Sequence, residues 1–166
     1  IEKKFQPTNS TRGKIFEYLM MCVFFRNNIE PFFYQVNLSL VPNVNFDFVL
    51  FDLAKNPIVI SIKTSSRERY KQVELESLVA KQVHRKARCV YITYEDEGVR
   101  FIEKKKENNE ILYIDEAYTI KDSSFDAFIK NLSKSEFGDP GIMKFVNHGI
   151  LLEWLPIVPQ NSLVNV

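Results

Sequence analysis

The sequence has little of what several classes of protein depend on. Its 166 residues include two cysteines and two histidines, and they show no internal repeat or low-complexity segment. The cysteines lack the spacing of a metal site, and neither histidine lies where it could activate a serine or cysteine nucleophile. The pattern therefore gives no support to a zinc-binding protein or a triad hydrolase. We expect Cys22 and Cys89 to be buried free thiols in a reducing compartment.

Long apolar segments are also missing. The longest uninterrupted apolar run, residues 19–25, is too short to cross a bilayer and lies between Glu17 and Arg26. We therefore expect no membrane partner and no secretion. With 45% hydrophobic and 26% charged residues, residues 1–166 suit a single α/β domain with a real core. The first residue is Ile rather than Met, which is compatible with a domain excised from a longer chain.

The overall charge does not indicate a nucleic-acid partner, because the net charge is only +1. One segment is nevertheless much more positive than the chain as a whole. Residues 63–88 contain eight Lys or Arg against three Glu, an excess of five positive charges. If the chain binds a nucleic acid, phosphate contacts are expected in this segment.

The most informative stretch is residues 45–76. Residues 46–53 and 58–64 are rich in Phe, Val, Leu and Ile, and the Ala-Lys-Asn-Pro between them predicts a turn, so this stretch reads as a β-hairpin. Asp47, Ser61 and Lys63 interrupt it. They share one face if the loop has an odd number of residues. An Asp and a Lys in an apolar hairpin are costly to bury unless they form an ion pair or bind a metal.

The hairpin is followed by a predicted helix over residues 67–88. Helical spacing places Glu76 on its apolar side, with Val73 and Ala80, so Glu76 points inward. Glu74 falls on the opposite face with Lys81 and is expected to be an ordinary solvated residue. Two carboxylates and one ammonium then converge from two strands and a helix. Such a cluster suits Mg²⁺-assisted phosphodiester hydrolysis, although a satisfied core ion pair would give the same pattern.

These residues resemble a known family. Fifteen residues separate Asp47 from Lys63, Ser61 stands two positions before Lys63, and twelve residues separate Lys63 from Glu76. This order and spacing are similar to the variant site of PD-(D/E)XK nucleases. In that variant Ser replaces the usual acid, and the next helix supplies the missing carboxylate. The resemblance is closest to the EcoRII-type and CCGG-recognising branch of type II restriction endonucleases. It implies a restriction-endonuclease-like fold with a mixed central β-sheet flanked by helices.

The resemblance also implies roles for individual residues. Asp47 and Glu76 would hold Mg²⁺ with the backbone carbonyl of Ile62, Lys63 would stabilise developing charge, and Ser61 would orient the ligands. Glu17, on a predicted first helix, corresponds to an accessory metal ligand of this class, although a core-paired or capping role is the alternative.

A triplet after Lys63 extends the resemblance to DNA recognition. Arg67-Glu68-Arg69 stands where that branch reads CC/GG steps, the arginines contacting guanine and the acid contacting cytosine, which agrees with the major-groove code. Lys71 follows as a DNA contact. The implied partners are double-stranded DNA, in sites such as CCGG or CC-x-GG, and a second copy of the chain in a homodimer. No organic cofactor is expected, and the implied location is the prokaryotic cytoplasm.

Other readings remain open at this point. The triplet could be a solvated first turn of the helix. The chain could be a structure-selective or repair nuclease of the same superfamily, a DNA-binding module without activity, or a structural α/β domain.

The rest of the chain predicts the elements around this stretch. We expect a buried helix at 12–26, strands at 32–40 and 89–93, a short strand at 99–102, a strand at 111–114 and a helix starting near Ser123. The parallel strand 89–93 would follow the Glu76 helix in a βαβ step. The tail from residue 140, with Trp154 and three prolines, is expected to pack irregularly.

Overall fold

The computed structural model of the chain describes residues 8–38, 41, 43–64, 69–138 and 146–153. Within this part of the chain there are four helices and six strands. In chain order these are α1 (Asn9–Arg26), β1 (Phe32–Leu38), β2 (Asn45–Phe51), β3 (Pro57–Lys63), α2 (Arg69–Val83), β4 (Arg88–Thr93), α3 (Asp96–Glu107), β5 (Glu116–Thr119), α4 (Ser123–Leu132) and β6 (Val146–Leu152).

The strands form one mixed sheet in the order β5-β4-β3-β2-β1-β6. β1, β2 and β3 are antiparallel neighbours, and β3, β4 and β5 are parallel neighbours. The predicted α/β class with a mixed central sheet flanked by helices is therefore confirmed. The change from antiparallel to parallel pairing occurs at β3, the strand that carries Ser61 and Lys63.

Two apolar layers enclose the sheet. On one face, α1 and α4 pack against β2, β3 and β4 through buried residues that include Phe24, Phe48, Ile60 and Phe128. On the other face, α2 and α3 cover the sheet in two smaller clusters centred on Val59 and Tyr91. β3 and β4 are apolar along nearly their whole length because both of their faces are covered.

The hairpin and the βαβ step agree with the prediction. β2 and β3 pair antiparallel in the register Phe48 with Ile60, and β3 then pairs parallel with β4 across the α2 connection. α1 begins after Thr8, whose hydroxyl accepts a hydrogen bond from the Thr11 backbone at 3.2 Å, so the helix starts a few residues before the predicted bound at residue 12.

Helix α1 is less buried than its composition predicts. Phe16, Met20 and Phe24 pack inward, but Leu19 is 57% exposed and Cys22 is exposed. The prediction of a buried Cys22 is wrong, because that residue lies off the single face of α1 that contacts the sheet. Cys89 is buried, as expected. No helix among the described residues is long and apolar enough to span a membrane.

The predictions for residues 95–114 are wrong. Residues 99–102 belong to helix α3, where Ile102 packs inward and a lysine run forms the last turn. Residues 111–114 form no strand; Ile111 and Ile114 are buried, and β5 begins at Glu116. The tail also differs from expectation, because β6 pairs antiparallel with β1 at the sheet edge. Residues 154–166, with Trp154, lie outside the described residues.

Glu74 has a structural role that the sequence did not predict. Its carboxylate accepts hydrogen bonds from three consecutive backbone N–H groups, those of Leu112, Tyr113 and Ile114, at 2.7 to 3.2 Å. Helix α2 thereby holds the segment that leads into β5. Charge-assisted hydrogen bonds of this kind are stronger than neutral ones.

We expect Glu74→Ala to lower the free energy of unfolding by about 1 to 3 kcal/mol, because several backbone donors would lose their acceptor. Urea denaturation followed by circular dichroism measures this change. Glu107→Ala, at an exposed position of α3, is the matched control and should change stability little. Equal stability of the two variants would contradict the anchoring role.

Candidate active site

The ends of β2 and β3 bring Asp47 and Lys63 together. The Asp47 carboxylate accepts a hydrogen bond from the Ile62 backbone N–H, with Oδ2 2.6 Å from the nitrogen, and lies 3.3 Å from the Lys63 Nζ. The two side chains are only 14% and 12% exposed. The predicted pairing of Asp47 with Lys63 is therefore present, in a largely desolvated setting.

Glu76 points inward from α2, as its helical position predicts. The residue is 6% exposed, and its Oε1 accepts a hydrogen bond from Gln72 Nε2 at 2.7 Å. Its Oε2 is buried and has no hydrogen-bond partner among the described residues. Buried polar atoms without a partner are rare and costly, so this oxygen requires an explanation.

The charges around Glu76 connect it to the hairpin. Burial raises the pKa of the Glu76 carboxyl above its ordinary value, whereas the hydrogen bond from Gln72 and the charge of Lys63 lower it, and the charge of Asp47 raises it. Asp47 and Lys63 thus both act on Glu76. We name these three residues the acidic cluster, which comes from two strands and one helix.

The acidic cluster fits a hard divalent cation. Mg²⁺ is commonly held by one or two carboxylates and retains several waters, and Asp47, Glu76 and the Ile62 carbonyl offer such oxygen ligands. The unpartnered Glu76 Oε2 is the atom that a cation would satisfy. Within the described ranges, no group of three or more carboxylate, imidazole or thiol residues is close enough to hold a metal without other ligands. A cation here would therefore depend on backbone and water oxygens.

Glu17 lies close to this arrangement but has other contacts. Its Oε2 accepts hydrogen bonds from the Tyr34 hydroxyl at 2.7 Å and from Gln35 Nε2 at 2.8 Å. This geometry agrees with the core-paired alternative for Glu17. Its role as an accessory metal ligand stays a prediction.

A polar cavity of about 560 Å³ adjoins Asp47 and Lys63. One wall is the first half of α1, and the other is formed by β1, the end of β3 and the start of α2. Its lining includes Ser10, Gly13, Lys14, Glu17, Tyr34, Gln35, Asp47, Ile62, Lys63 and Arg69. Three cationic side chains and two carboxylates thus face one space, which is open to an anionic ligand.

The remaining predicted site residues have different positions. Ser61 is buried on β3, two residues before Lys63. Arg69 is the first residue of α2, is exposed and lines the cavity, while Lys71 is exposed on the same turn. Arg67 and Glu68 lie outside the described residues, so the structure does not locate the rest of the triplet.

Three residues of the site were missed by the sequence reading. Gln72 precedes Glu76 by four positions, a helical spacing from which the hydrogen bond could have been predicted. Tyr34 and Gln35 bind Glu17 from another element, and no local pattern indicates this contact.

Comparisons of the chain with known protein families, with characterised proteins and with solved structures found no match. The interpretation of the site therefore depends on the geometry of this structure and on the motif spacing.

The raised pKa of Glu76 leads to a prediction about stability. The pKa of Glu76 in the folded protein lies above its ordinary value of 4.5. Between these two pKa values the folded state binds more protons than the unfolded state, so the free energy of unfolding falls as the pH rises from the lower value to the higher one. We expect Glu76→Gln to unfold at a higher temperature than the parent at pH 7.5 in EDTA, because the buried charge is removed. The difference should disappear near pH 4.

Thermal unfolding at both pH values measures this effect, with Glu107→Gln as the exposed control. A lower melting temperature of Glu76→Gln at pH 7.5 would mean that the carboxylate is already satisfied in the protein.

Proposed function

We propose that this chain is a Mg²⁺-dependent endonuclease that cleaves double-stranded DNA. The observation that supports this most directly is the unpartnered, buried Oε2 of Glu76 within the electrostatic reach of Asp47 and Lys63. An α/β domain gains no stability from such an oxygen. A function in which a cation occupies the site accounts for it.

The proposed division of work follows from the chemistry of each side chain. Asp47 and Glu76 supply negative oxygens, and the Ile62 backbone N–H fixes the direction of the Asp47 carboxylate. Bound Mg²⁺ would polarise the phosphodiester and lower the pKa of a water molecule. Lys63 would stabilise the attacking hydroxide and the negative charge that develops on the phosphoryl oxygens. Ser61 would orient the ligands from β3.

The reaction is a hydrolysis. The water oxygen forms a bond to phosphorus, the bond from phosphorus to the 3′ oxygen breaks, and the leaving oxygen takes a proton. The products would be a 5′ phosphate and a 3′ hydroxyl, as the resemblance to type II restriction endonucleases implies.

Site specificity belongs to the same proposal. Arg67, Glu68 and Arg69 would read a CC/GG step in the major groove, where Arg pairs with guanine and Glu accepts from cytosine. Arg69, at the start of α2, lines the cavity together with Lys63, which supports a DNA contact by this residue close to the proposed cleavage site. A palindromic target would be bound by a homodimer.

Catalysis is tested by Asp47→Asn and Lys63→Met. We expect each to lower the rate of Mg²⁺-dependent cleavage of plasmid DNA by at least about a hundredfold, since each removes a charge used in the transition state. Affinity for DNA in Ca²⁺ should change much less. Lys121→Met, an exposed lysine outside this cavity, is the control. Unchanged cleavage by Lys63→Met would rule out the proposed site, and DNA binding with no cleavage by the parent would favour an inactive DNA-binding module.

Recognition is tested by comparing Arg67→Ala with Lys71→Ala. Arg67→Ala should lose a guanine contact and reduce discrimination between cognate and non-cognate sites by about 1 to 3 kcal/mol. Lys71→Ala should lose a phosphate contact, which weakens binding to all sequences and reduces the salt dependence of binding. Cleavage-end mapping and binding isotherms at several salt concentrations separate these effects. If the parent cuts without sequence preference and Arg67→Ala is unchanged, a structure-selective or repair nuclease is favoured.

A further inference from the structure

Strand β1 contains an unusual backbone conformation. Gln35 has a φ of +52°, in the left-handed region that residues with a Cβ seldom adopt inside a strand. The pairing of β1 with β2 continues in one register on both sides of this residue, and the position opposite Gln35 in that register is Asp47. The neighbouring pairs are Tyr34 with Phe48 and Val36 with Phe46.

The inward-packed side chains of both β1 and β2 switch from one face of the sheet to the other on either side of the Gln35–Asp47 pair. In a regular strand, residues two positions apart lie on the same face of the sheet. Tyr34 packs against the cluster under α1, whereas Val36 belongs to the cluster on the α2 face. Phe48 and Phe46 divide between the same two clusters. The irregularity therefore affects β1 and β2 together, at the pair that contains the proposed metal ligand.

The contacts of Asp47 show what this change of face achieves. The carboxylate lies at the end of β3, where it accepts a hydrogen bond from the Ile62 N–H at 2.6 Å and is 3.3 Å from Lys63 Nζ. β-Bulges and related irregularities commonly redirect a side chain near a functional site.

We infer that Gln35 is a positioning residue, whose left-handed backbone sets the change of face at which the Asp47 carboxylate is held against the Ile62 N–H and Lys63. The inference uses the proposed function for its activity measurement, but the contact between Asp47 and Lys63 can be tested without it. The Gln35 amide is bonded to Glu17, which helps to hold the unusual conformation. The backbone, rather than this amide, is the part that directs Asp47.

Substitutions at Gln35 separate the backbone from the side chain. Glycine adopts a positive φ freely but removes the amide, whereas valine opposes a positive φ because it is β-branched. Alanine also disfavours a positive φ and is small, so it provides the same test if the valine variant does not fold. Asn37→Val introduces the same side chain two positions along β1, at a residue with a negative φ, and is the matched control.

The first measurement is the coupling between Asp47 and Lys63. It is obtained from the unfolding free energies of Asp47→Asn, Lys63→Met and the double variant, each made in the parent and in the Gln35 variants. We expect the coupling to persist with Gln35→Gly and Asn37→Val and to disappear with Gln35→Val and Gln35→Ala. Retention of the coupling in the valine and alanine variants would overturn the inference, as would its loss in the glycine variant.

The second measurement is Mg²⁺-dependent cleavage by the same variants. Displacement of a catalytic group by about 1 Å can cost about a hundredfold in rate, so Gln35→Val and Gln35→Ala should lose at least that much while Gln35→Gly retains most activity. Absence of cleavage by the parent, with the expected pattern of coupling, would overturn the proposed function and leave the role of Gln35 intact. Full cleavage by Gln35→Val would contradict the positioning role.

Discussion

The structure around the candidate site depends on one electrostatic constraint: a carboxylate from α2 is buried within the electrostatic range of an aspartate and a lysine from the sheet. Glu76 is held there by the apolar face that places Val73 and Ala80 against the strands. One oxygen of Glu76 is bonded to Gln72, and the other has no partner in the described part of the chain. Desolvation without a partner is unfavourable, so the arrangement gives up stability at this point.

The sheet supplies the geometry that makes this constraint possible. The change from antiparallel to parallel pairing at β3 means that the hairpin partner lies on one side of β3, while α2 crosses over one of its faces toward β4. Residues from β2, β3 and α2 can therefore meet at one end of β3. A sheet of only antiparallel hairpins would not bring a following helix back across this strand.

Much of this could be predicted from the sequence because the informative patterns are local. The apolar runs of the hairpin, its turn and the helical phase of Glu76 identified β2, β3 and the inward side of α2. The errors lie where the local signal was weak or shared: residues 99–102 suit either a strand or a helix, and Glu74 resembles a solvated residue until its three backbone donors are in place. Gln35 gave no signal, because a positive φ at a glutamine depends on contacts from other elements.

The charge balance of the site explains why cation and substrate binding would depend on each other. The formal charges of Asp47, Glu76 and Lys63 sum to −1, which is unfavourable for a neighbouring phosphodiester. A divalent ion changes this to +1, and Lys14, Arg69 and Glu17 along the cavity wall together add one further positive charge. Because the cavity is partly shielded from water, these charges interact more strongly than they would at an open surface. Under the proposed function, a phosphodiester in this cavity would therefore be bound more strongly when the cation is present, and the cost of burying Glu76 would be recovered in the same step.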